Sequence, residues 1–145
     1  MAAKDRFREL CQQGISPGPA SEESIRSIET QLGIRFPRDY REFLQEFGAC
    51  ILDGLEIYGI IERDMDQQLW QNVGQVAQHF YEFDLNYKNR ALIPITEDGT
   101  GCYSCINANK SRETEIVAIG PGVDSVISYE FFEFVLALKE NKLFT

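Results

Sequence analysis

Residues 32–48 read LGIRFPRDYREFLQEFG and predict the end of one helix, a short extended step and a second helix. Gly33 suits the end of the first helix because glycine adopts a positive φ without steric cost. Pro37 suits the first turn of the second helix, since the N–H that proline lacks would have no partner there. Gly48 ends the second helix for the same reason as Gly33. The segment therefore predicts a helical hairpin.

Both helices of this hairpin have an apolar face. In the second helix, large apolar side chains recur three or four residues apart, which is the spacing of one helical face. These side chains are Tyr40, Phe43, Leu44 and Phe47. The first helix starts after Ser21, a favourable N-cap residue, and has two carboxylates in its first turn. Its apolar stripe comprises Ile25, Ile28 and Leu32. Both helices are thus expected to pack on a common core.

The rest of the chain predicts further helices and a run of strands. Short apolar runs lie between glycine and turn signals, whereas longer runs repeat at helical spacing. Predicted helices cover residues 5–12, 66–81 and 128–142, and predicted strands cover 55–58, 91–96, 102–106, 114–119 and 123–127. Pro94 cannot donate to a neighbouring strand, so its strand is expected at a sheet edge or at a bulge. Ser128 is the predicted cap of the last helix.

The order of these elements predicts an α+β fold class and a single domain spanning residues 1–145. Short turns between the late strands favour antiparallel pairing. We therefore expect an N-terminal helical hairpin and a C-terminal helix packed on a mainly antiparallel, twisted sheet of four to six strands. A chain of 145 residues is long enough to bury a core of its own.

The charge of the chain narrows the class of partner. It contains 23 acidic and 14 basic residues, a formal net charge of −9. Such a charge repels nucleic acid and anionic lipid and attracts basic surfaces, although solubility alone also explains it. We find neither an apolar signal region near the start nor a stretch as long as a membrane span. A cytoplasmic location is therefore expected, with neither nucleic acid nor membrane as a partner.

Several segments resemble the SUKH superfamily, in the branch related to the yeast Smi/Knr cell-wall regulator. They are IxxIExxLG at residues 25–33, FPRDYxxFLxxFG at 36–48, LEIYG at 55–59, IPIxxDGTG at 93–101 and SYEF at 128–131. The resemblance implies a mixed α/β domain. For bacterial members it implies an immunity protein that binds a cognate toxin, often a nuclease, and for eukaryotic members a regulatory binding protein. Relatives often carry an acidic residue near the position of Asn107, so a role for that acid does not transfer to this chain.

The leading hypothesis is therefore a non-enzymatic immunity protein that neutralises a cognate bacterial toxin in the cytoplasm. The partner would be a protein toxin with a basic active-site surface, and the chain itself a monomer or a weak dimer. The alternative is a regulatory protein–protein interaction module of the cell-wall regulator type, without a toxin partner. The resemblance supplies no catalytic residues, and no cofactor is expected.

Acidic and aromatic side chains cluster around the predicted helix at 66–81 and the predicted turn at 97–101. The candidate partner-binding residues are Glu62, Asp64, Asp66, Tyr81, Glu82, Asp84, Glu97 and Asp98. Carboxylates speed the encounter with a basic partner, and aromatic side chains anchor it. The same pattern also fits solvated loop charges beside core aromatics, and the sequence leaves both interpretations open.

The other reactive residue types predict no catalytic or metal site. Cys102 and Cys105 form a C-x-x-C pair in a predicted strand, away from the helix N-termini that lower the pKa of a thiol. A zinc site would need two more ligands at suitable spacing. His79, the single histidine, has no nucleophile motif beside it. Residues 98–101 read DGTG without the lysine of a phosphate loop and predict a hairpin turn. A thiol-dependent enzyme or metal protein remains a third hypothesis.

Overall fold

The computed structural model describes residues 3–52, 55–61, 72–109, 114–128 and 130–139. Its helices are α1 (Ala3–Gln13), α2 (Glu22–Leu32), α3 (Arg38–Phe47), α4 (Val73–Phe83), α5 (Leu85–Asn89) and α6 (Phe131–Lys139). Its strands are β1 (Cys50–Leu52), β2 (Leu55–Ile57), β3 (Leu92–Glu97), β4 (Tyr103–Asn107), β5 (Ile116–Gly120) and β6 (Val123–Ser128). They form an antiparallel pair, β1–β2, and an antiparallel sheet in the order β3-β4-β5-β6. The predicted α+β class is confirmed.

The predicted helical hairpin is present and has the expected residues at its ends. Ser21 caps α2, because its side chain accepts a hydrogen bond from the N–H of Ser24 at 3.1 Å. Gly33 ends α2 with a φ of 69°, and Gly48 ends α3 with a φ of 76°. Pro37 occupies the N-cap of α3 instead of its first turn, because its ψ of 155° is extended.

The start of α6 differs from the prediction. Ser128 is the last residue of β6, not a helix cap, and α6 begins at Phe131. The capping group comes from Asp39 of α3, 92 residues away, whose Oδ2 accepts from the N–H of Phe131 at 2.9 Å. The other oxygen of Asp39 accepts from the hydroxyl of Thr114 and from the N–H of Tyr40. Asp39 therefore joins α3, α6 and the segment that precedes β5.

Replacing Asp39 by alanine is expected to lower the free energy of unfolding by about 2 kcal/mol. The change leaves the Phe131 N–H and the Thr114 hydroxyl without a charged acceptor, and hydrogen bonds to charged groups contribute about 1.5–3 kcal/mol. Urea unfolding followed by circular dichroism measures the difference. Glu9→Ala, at an exposed position of α1, is the control and should change stability by less than about 0.5 kcal/mol. If Asp39→Ala and Glu9→Ala changed stability equally, Asp39 would not be holding α6 in place.

Strand β3, which contains Pro94, has both the edge position and the bulge that proline favours. Strand β3 lies at an edge of this sheet, and its register with β4 shifts between Pro94 and Thr96. The predicted C-terminal strands and the turn between β3 and β4 are confirmed. Strand β2 confirms the strand predicted at 55–58, whereas β1 and α5 were not predicted. The predicted helix at 66–81 is confirmed from Val73 onwards, and its earlier part lies outside the described residues.

Apolar side chains cover both faces of this sheet. Ile93, Ile106 and Ile116 belong to one cluster, together with the buried phenylalanines of α1, α3 and α6. Alternate strand residues, including Cys105 and Val117, belong to a second cluster with Ala77, Phe80 and Tyr81 of α4. Helices therefore pack on opposite sides of the sheet, and the end of α4 lies over β4 and β5. That arrangement creates the groove described next.

Candidate functional site

A groove lies between α4–α5 on one side and β4–β5 on the other. Its volume is about 880 Å³. The main lining side chains are Phe80, Phe83, Tyr87, Tyr103, Ile119 and Pro121. We call it the aromatic groove. Its size falls within the usual range for clefts that hold small ligands or side chains of a partner, roughly 300–1,000 Å³.

The aromatic rings form a packed floor with one exposed ring beside it. Phe80 stacks on Tyr87 with 4.2 Å between ring centroids and an interplanar angle of 14°. Phe80 also contacts Tyr103, whose ring centroid is 5.3 Å away. Phe83 is 84% exposed and Leu85 is 64% exposed, unusual values for large apolar side chains. The groove thus offers a preformed aromatic surface, and aromatic side chains anchor many protein interfaces.

A row of side chains crosses the sheet at the groove. Glu97 pairs with Tyr103, Tyr103 with Ile119, and Ile119 with Asp124, so these four side chains project from the same face. The Asp124 carboxylate forms two hydrogen bonds with the Arg90 guanidinium, at 2.8 and 3.0 Å. Burial, followed by the negative charge of Glu97, raises the pKa of Tyr103. Glu97 therefore places its charge beside an aromatic side chain of the groove.

Asp98 organises the turn between β3 and β4. Its Oδ1 accepts hydrogen bonds from the hydroxyl and N–H of Thr100, at 2.6 and 2.8 Å. The hydrogen bond from the Thr100 hydroxyl is the main reason why the pKa of Asp98 lies below its ordinary value. Glu97 also contributes, accepting from the N–H of Gly101 at 3.2 Å. Hydrogen bonds from the turn therefore hold two carboxylates in place.

The candidate residues at the end of α4 have different environments. Glu82 is exposed, and its Oε2 lies 3.7 Å from Nδ1 of His79. Asp84 caps α5, because its Oδ1 accepts from the N–H two residues later at 3.0 Å. Tyr81 is a core residue: its ring is buried and its hydroxyl donates to the Leu92 carbonyl at 2.7 Å. Tyr81 consequently presents little surface to a partner.

The described candidate carboxylates lie close in the chain to residues of the aromatic groove but do not line it, and Glu82 lines a smaller pocket with Gln78 and Leu85. Glu82 and Asp84 flank Phe83 at the end of α4. Glu97 and Asp98 lie at the turn that leads into Gly101 and Tyr103. Phe83, Gly101 and Tyr103 all line the groove. The candidate residues that lie outside the described ranges are Glu62, Asp64 and Asp66.

Two carboxylates of α3 form ion pairs with cations of α1. Glu46 accepts from Nε of Arg8 at 2.8 Å, and Glu42 lies 2.6 Å from Nζ of Lys4. By contrast, Asp84, Glu97 and Asp98 form no ion pair with any residue in the described part of the chain. These three carboxylates therefore add unpaired negative charge close to the aromatic groove, as the exposed Glu9 and Glu23 do on α1 and α2 within the described residues.

Sequence reasoning missed the residues that the sheet contributes to this groove. Tyr103 and Ile119 come from β4 and β5, and Pro121 comes from the turn after β5. The sequence did contain one signal: the alternation of β4 puts Tyr103 and Cys105 on the same face, two residues apart. What the sequence does not contain is the position of α4 over that face.

The cysteines have the character of structural thiols. Cys11, Cys50 and Cys105 are buried, Cys102 is half-buried, and all are free. A hydrogen bond with Cys50, together with burial, raises the pKa of Cys11, and burial raises the pKa of Cys105. No group of three or more His, Cys, Asp or Glu side chains within the described residues is placed to hold a metal ion. His79 lies on the surface of α4.

Comparison with known proteins identifies a family match over most of the chain. The model of the SUKH_5 group, described as SMI1-KNR4 cell-wall, matches residues 5–136. The uncharacterized protein YnaB of Bacillus subtilis (strain 168) is 40% identical over 81 residues, which cover 51% of this chain and 56% of YnaB. The SPbeta prophage-derived uncharacterized protein YokK of the same organism is 22% identical over 120 residues, covering 68% of this chain and 62% of YokK.

The aligned regions span between half and two thirds of the length of these relatives. The activity and partners of a whole relative therefore do not transfer directly to this chain. Among the described helices, none has both the length and the apolar character needed to cross a membrane.

Proposed function

Because this chain belongs to the SMI1-KNR4 cell-wall family, in its SUKH_5 group, we propose that it acts by binding another protein and that this partner is a bacterial toxin. In this proposal the chain is a non-enzymatic immunity protein of the cytoplasm. It covers the active surface of its cognate toxin and makes or breaks no covalent bond. A toxin with a nuclease domain is the target class that fits best.

The observation that carries this proposal is the aromatic groove with its exposed Phe83, together with the carboxylates of the β3–β4 turn and of the end of α4. Phe83 is 84% exposed next to a packed ring floor, which supplies an apolar anchor point. Glu97 adds negative charge beside Tyr103, and Glu82 adds it at the end of α4. Interfaces of high affinity commonly combine a few aromatic anchors with complementary charge at the rim. The expected occupant is a segment of the toxin that carries both basic and apolar side chains.

The charge of the whole chain supports a nuclease as the target. A surface that binds phosphate groups is basic, and a protein with a net charge of −9 is attracted to it over several ångströms. The attraction mainly increases the association rate and weakens as salt rises, because the Debye length shortens from about 10 Å at 0.1 M to about 3 Å at 1 M. On the toxin, the carboxylates of this chain would take the positions that the phosphate groups of its nucleic-acid substrate occupy.

The test combines binding and protection of cells, using the full chain and the toxin encoded beside its gene. Phe83→Ala is expected to weaken toxin binding by about 2 kcal/mol, roughly 30-fold, as for an anchoring aromatic residue. Glu82→Lys with Glu97→Lys should weaken it at least about tenfold, mainly by slowing association. The matched control is Glu9→Lys with Glu23→Lys, which makes the same charge change at exposed positions of α1 and α2.

Calorimetry or surface plasmon resonance gives the affinities, and growth of toxin-expressing cells gives the protection. The proposal would be wrong if the chain neither bound the toxin nor protected the cells. It would also be wrong in its choice of surface if the control pair weakened binding as much as the groove pair.

A regulatory interaction module without a toxin is the second candidate. It is supported by the description of the matching family, which refers to the cell wall. The gene neighbourhood separates the two candidates: a toxin gene directly upstream supports the immunity function. A neighbourhood of cell-envelope genes, together with co-purification of an envelope or signalling protein, supports the regulatory function.

A further inference from the structure

A second cleft, of opposite charge, lies between α2, the α2–α3 connection, α3 and α5. Its volume is about 1250 Å³. The cationic side chains that line it are Arg26, Arg35, Arg38, Arg41 and Lys88. The carboxylates that line it are Glu22 and Glu29. We call it the basic cleft. It has three more cationic than anionic side chains, although the chain as a whole carries a net charge of −9.

Both carboxylates of the basic cleft are engaged within the protein. Glu29 accepts from the N–H of Phe36 at 2.8 Å with one oxygen and from Nη2 of Arg41 at 2.7 Å with the other. Glu22 accepts from Arg41 and, at 3.2 Å, from Nε of Arg26. These two carboxylates therefore neutralise Arg26 and Arg41 and leave the other cations of the cleft without compensation from its lining.

Two cations of the cleft have no acidic partner among the residues that the structure describes. They are Arg35, in the α2–α3 connection, and Lys88, on α5, and both are exposed. Among the described residues, the acidic partner of Arg38 is Glu42 on its own helix, at 3.3 Å, and the Arg38 side chain is 94% exposed. Exposed pairs of this kind contribute at most about 1 kcal/mol and exchange readily with other anions. The cleft is thus able to bind carboxylates from outside the chain.

The arrangement of the cations favours an extended ligand over a phosphate group. A bound phosphate needs donors that converge on one point, whereas these cations are distributed over α2, α3, α5 and a connecting segment. The N–H of Phe36, a backbone donor in the cleft, is already bound to Glu29. Ile34 and Ala108 add apolar surface between the charges. A peptide with carboxylates interspersed among apolar side chains matches both features.

We propose that the basic cleft binds an acidic, extended segment of a partner protein. This site is separate from the aromatic groove, has the opposite charge and does not depend on the toxin-neutralising function. The chain therefore presents two docking surfaces of opposite sign. One accepts a basic partner and the other accepts an acidic segment, either of the same partner or of another protein.

The test measures fluorescence anisotropy of a fluorescein-labelled peptide of alternating Glu and Leu with the full chain. The unmodified protein should bind this peptide, and Arg35→Glu with Lys88→Glu should weaken the binding at least about tenfold, an effect that diminishes at high salt. Arg6→Glu with Lys139→Glu, on α1 and α6, changes the net charge equally outside the cleft and should have less than a twofold effect, about 0.4 kcal/mol. If the charge-reversed protein does not fold, Arg35→Gln with Lys88→Gln should still weaken binding several-fold.

Three results would overturn the proposal. The first is the absence of peptide binding to the unmodified protein. The second is an equal loss of binding in the control variant, which would indicate a general charge effect. The third is displacement of the peptide by inorganic pyrophosphate at an equal concentration, which would assign the cleft to a phosphate ligand.

Discussion

Gly59→Ala is expected to lower the free energy of unfolding by about 4 kcal/mol or more, at the upper end of the range for single substitutions. A Cβ atom at this position would lie 1.7 Å from the carbonyl oxygen of Gly48 and 3.1 Å from Cα of Ala49. Both neighbours are backbone atoms, so no side chain can rotate away. The segments that contain Gly48 and Gly59 would have to separate. This separation would break the 2.8 Å hydrogen bond from the Ile60 N–H to the Gly48 carbonyl.

Urea unfolding measures the loss of stability in Gly59→Ala, and the yield of soluble protein is a second readout. Gly33→Ala is the matched control, because residue 33 has a φ of 69° and a Cβ added there would have no atom within 4 Å. Only backbone strain acts there, and it should cost about 1–2 kcal/mol. A Gly59→Ala protein as stable as the control would show that the two segments can separate at little cost.

Phe7→Ala is expected to destabilise the protein by about 4 kcal/mol, since truncation of a buried phenylalanine typically costs about 3–5 kcal/mol. Phe7 of α1 is fully buried. Its ring lies 5.6 Å from that of Phe43, 5.7 Å from Phe131 and 5.1 Å from Phe132. The alanine variant therefore leaves a cavity where α1, α3 and α6 meet, and rings from two other helices lose their contacts.

Phe83→Ala is the control for this change, because it removes the same side chain from an 84% exposed position. It should alter stability by less than about 0.5 kcal/mol. Phe7→Leu should fall between the two, because it keeps most of the apolar volume. Thermal and urea unfolding of the three proteins give the order, and a small effect of Phe7→Ala would mean that α1 contributes little to the core.

The helical hairpin could be predicted because its signals are local. Ser21 and Gly33 act on the helix that they flank, and Gly48 does the same for α3. The C-terminal strands were predictable for a similar reason, since turn residues separate their apolar runs. Strand β1 was missed because it has three residues, although the Asp-Gly dipeptide at 53–54 is a known sequence signal for a hairpin.

Features that depend on distant residues could not be predicted. Asp39 caps α6 from 92 residues away, and a backbone crossing at Gly59 gives no sequence pattern of its own. The candidate site was predictable only in part. The sequence pointed to Glu82, Asp84 and the turn carboxylates, but it could not show that Tyr103 would complete a groove beside them. It also could not show that Arg8 and Glu46, 38 residues apart, would form an ion pair.

The two turns that border the aromatic groove lie at the same end of the four-stranded sheet. Gly101 and Pro121, one from each turn, both line the groove, and the ideal Cβ position of Gly101 is 3.9 Å from Cδ of Pro121. The buried clusters draw on the strands and helices instead of these tips. Residues at these tips can therefore be exchanged with little disturbance of the buried clusters, so, if the groove binds a partner as proposed, such exchanges should change its specificity before they change the fold.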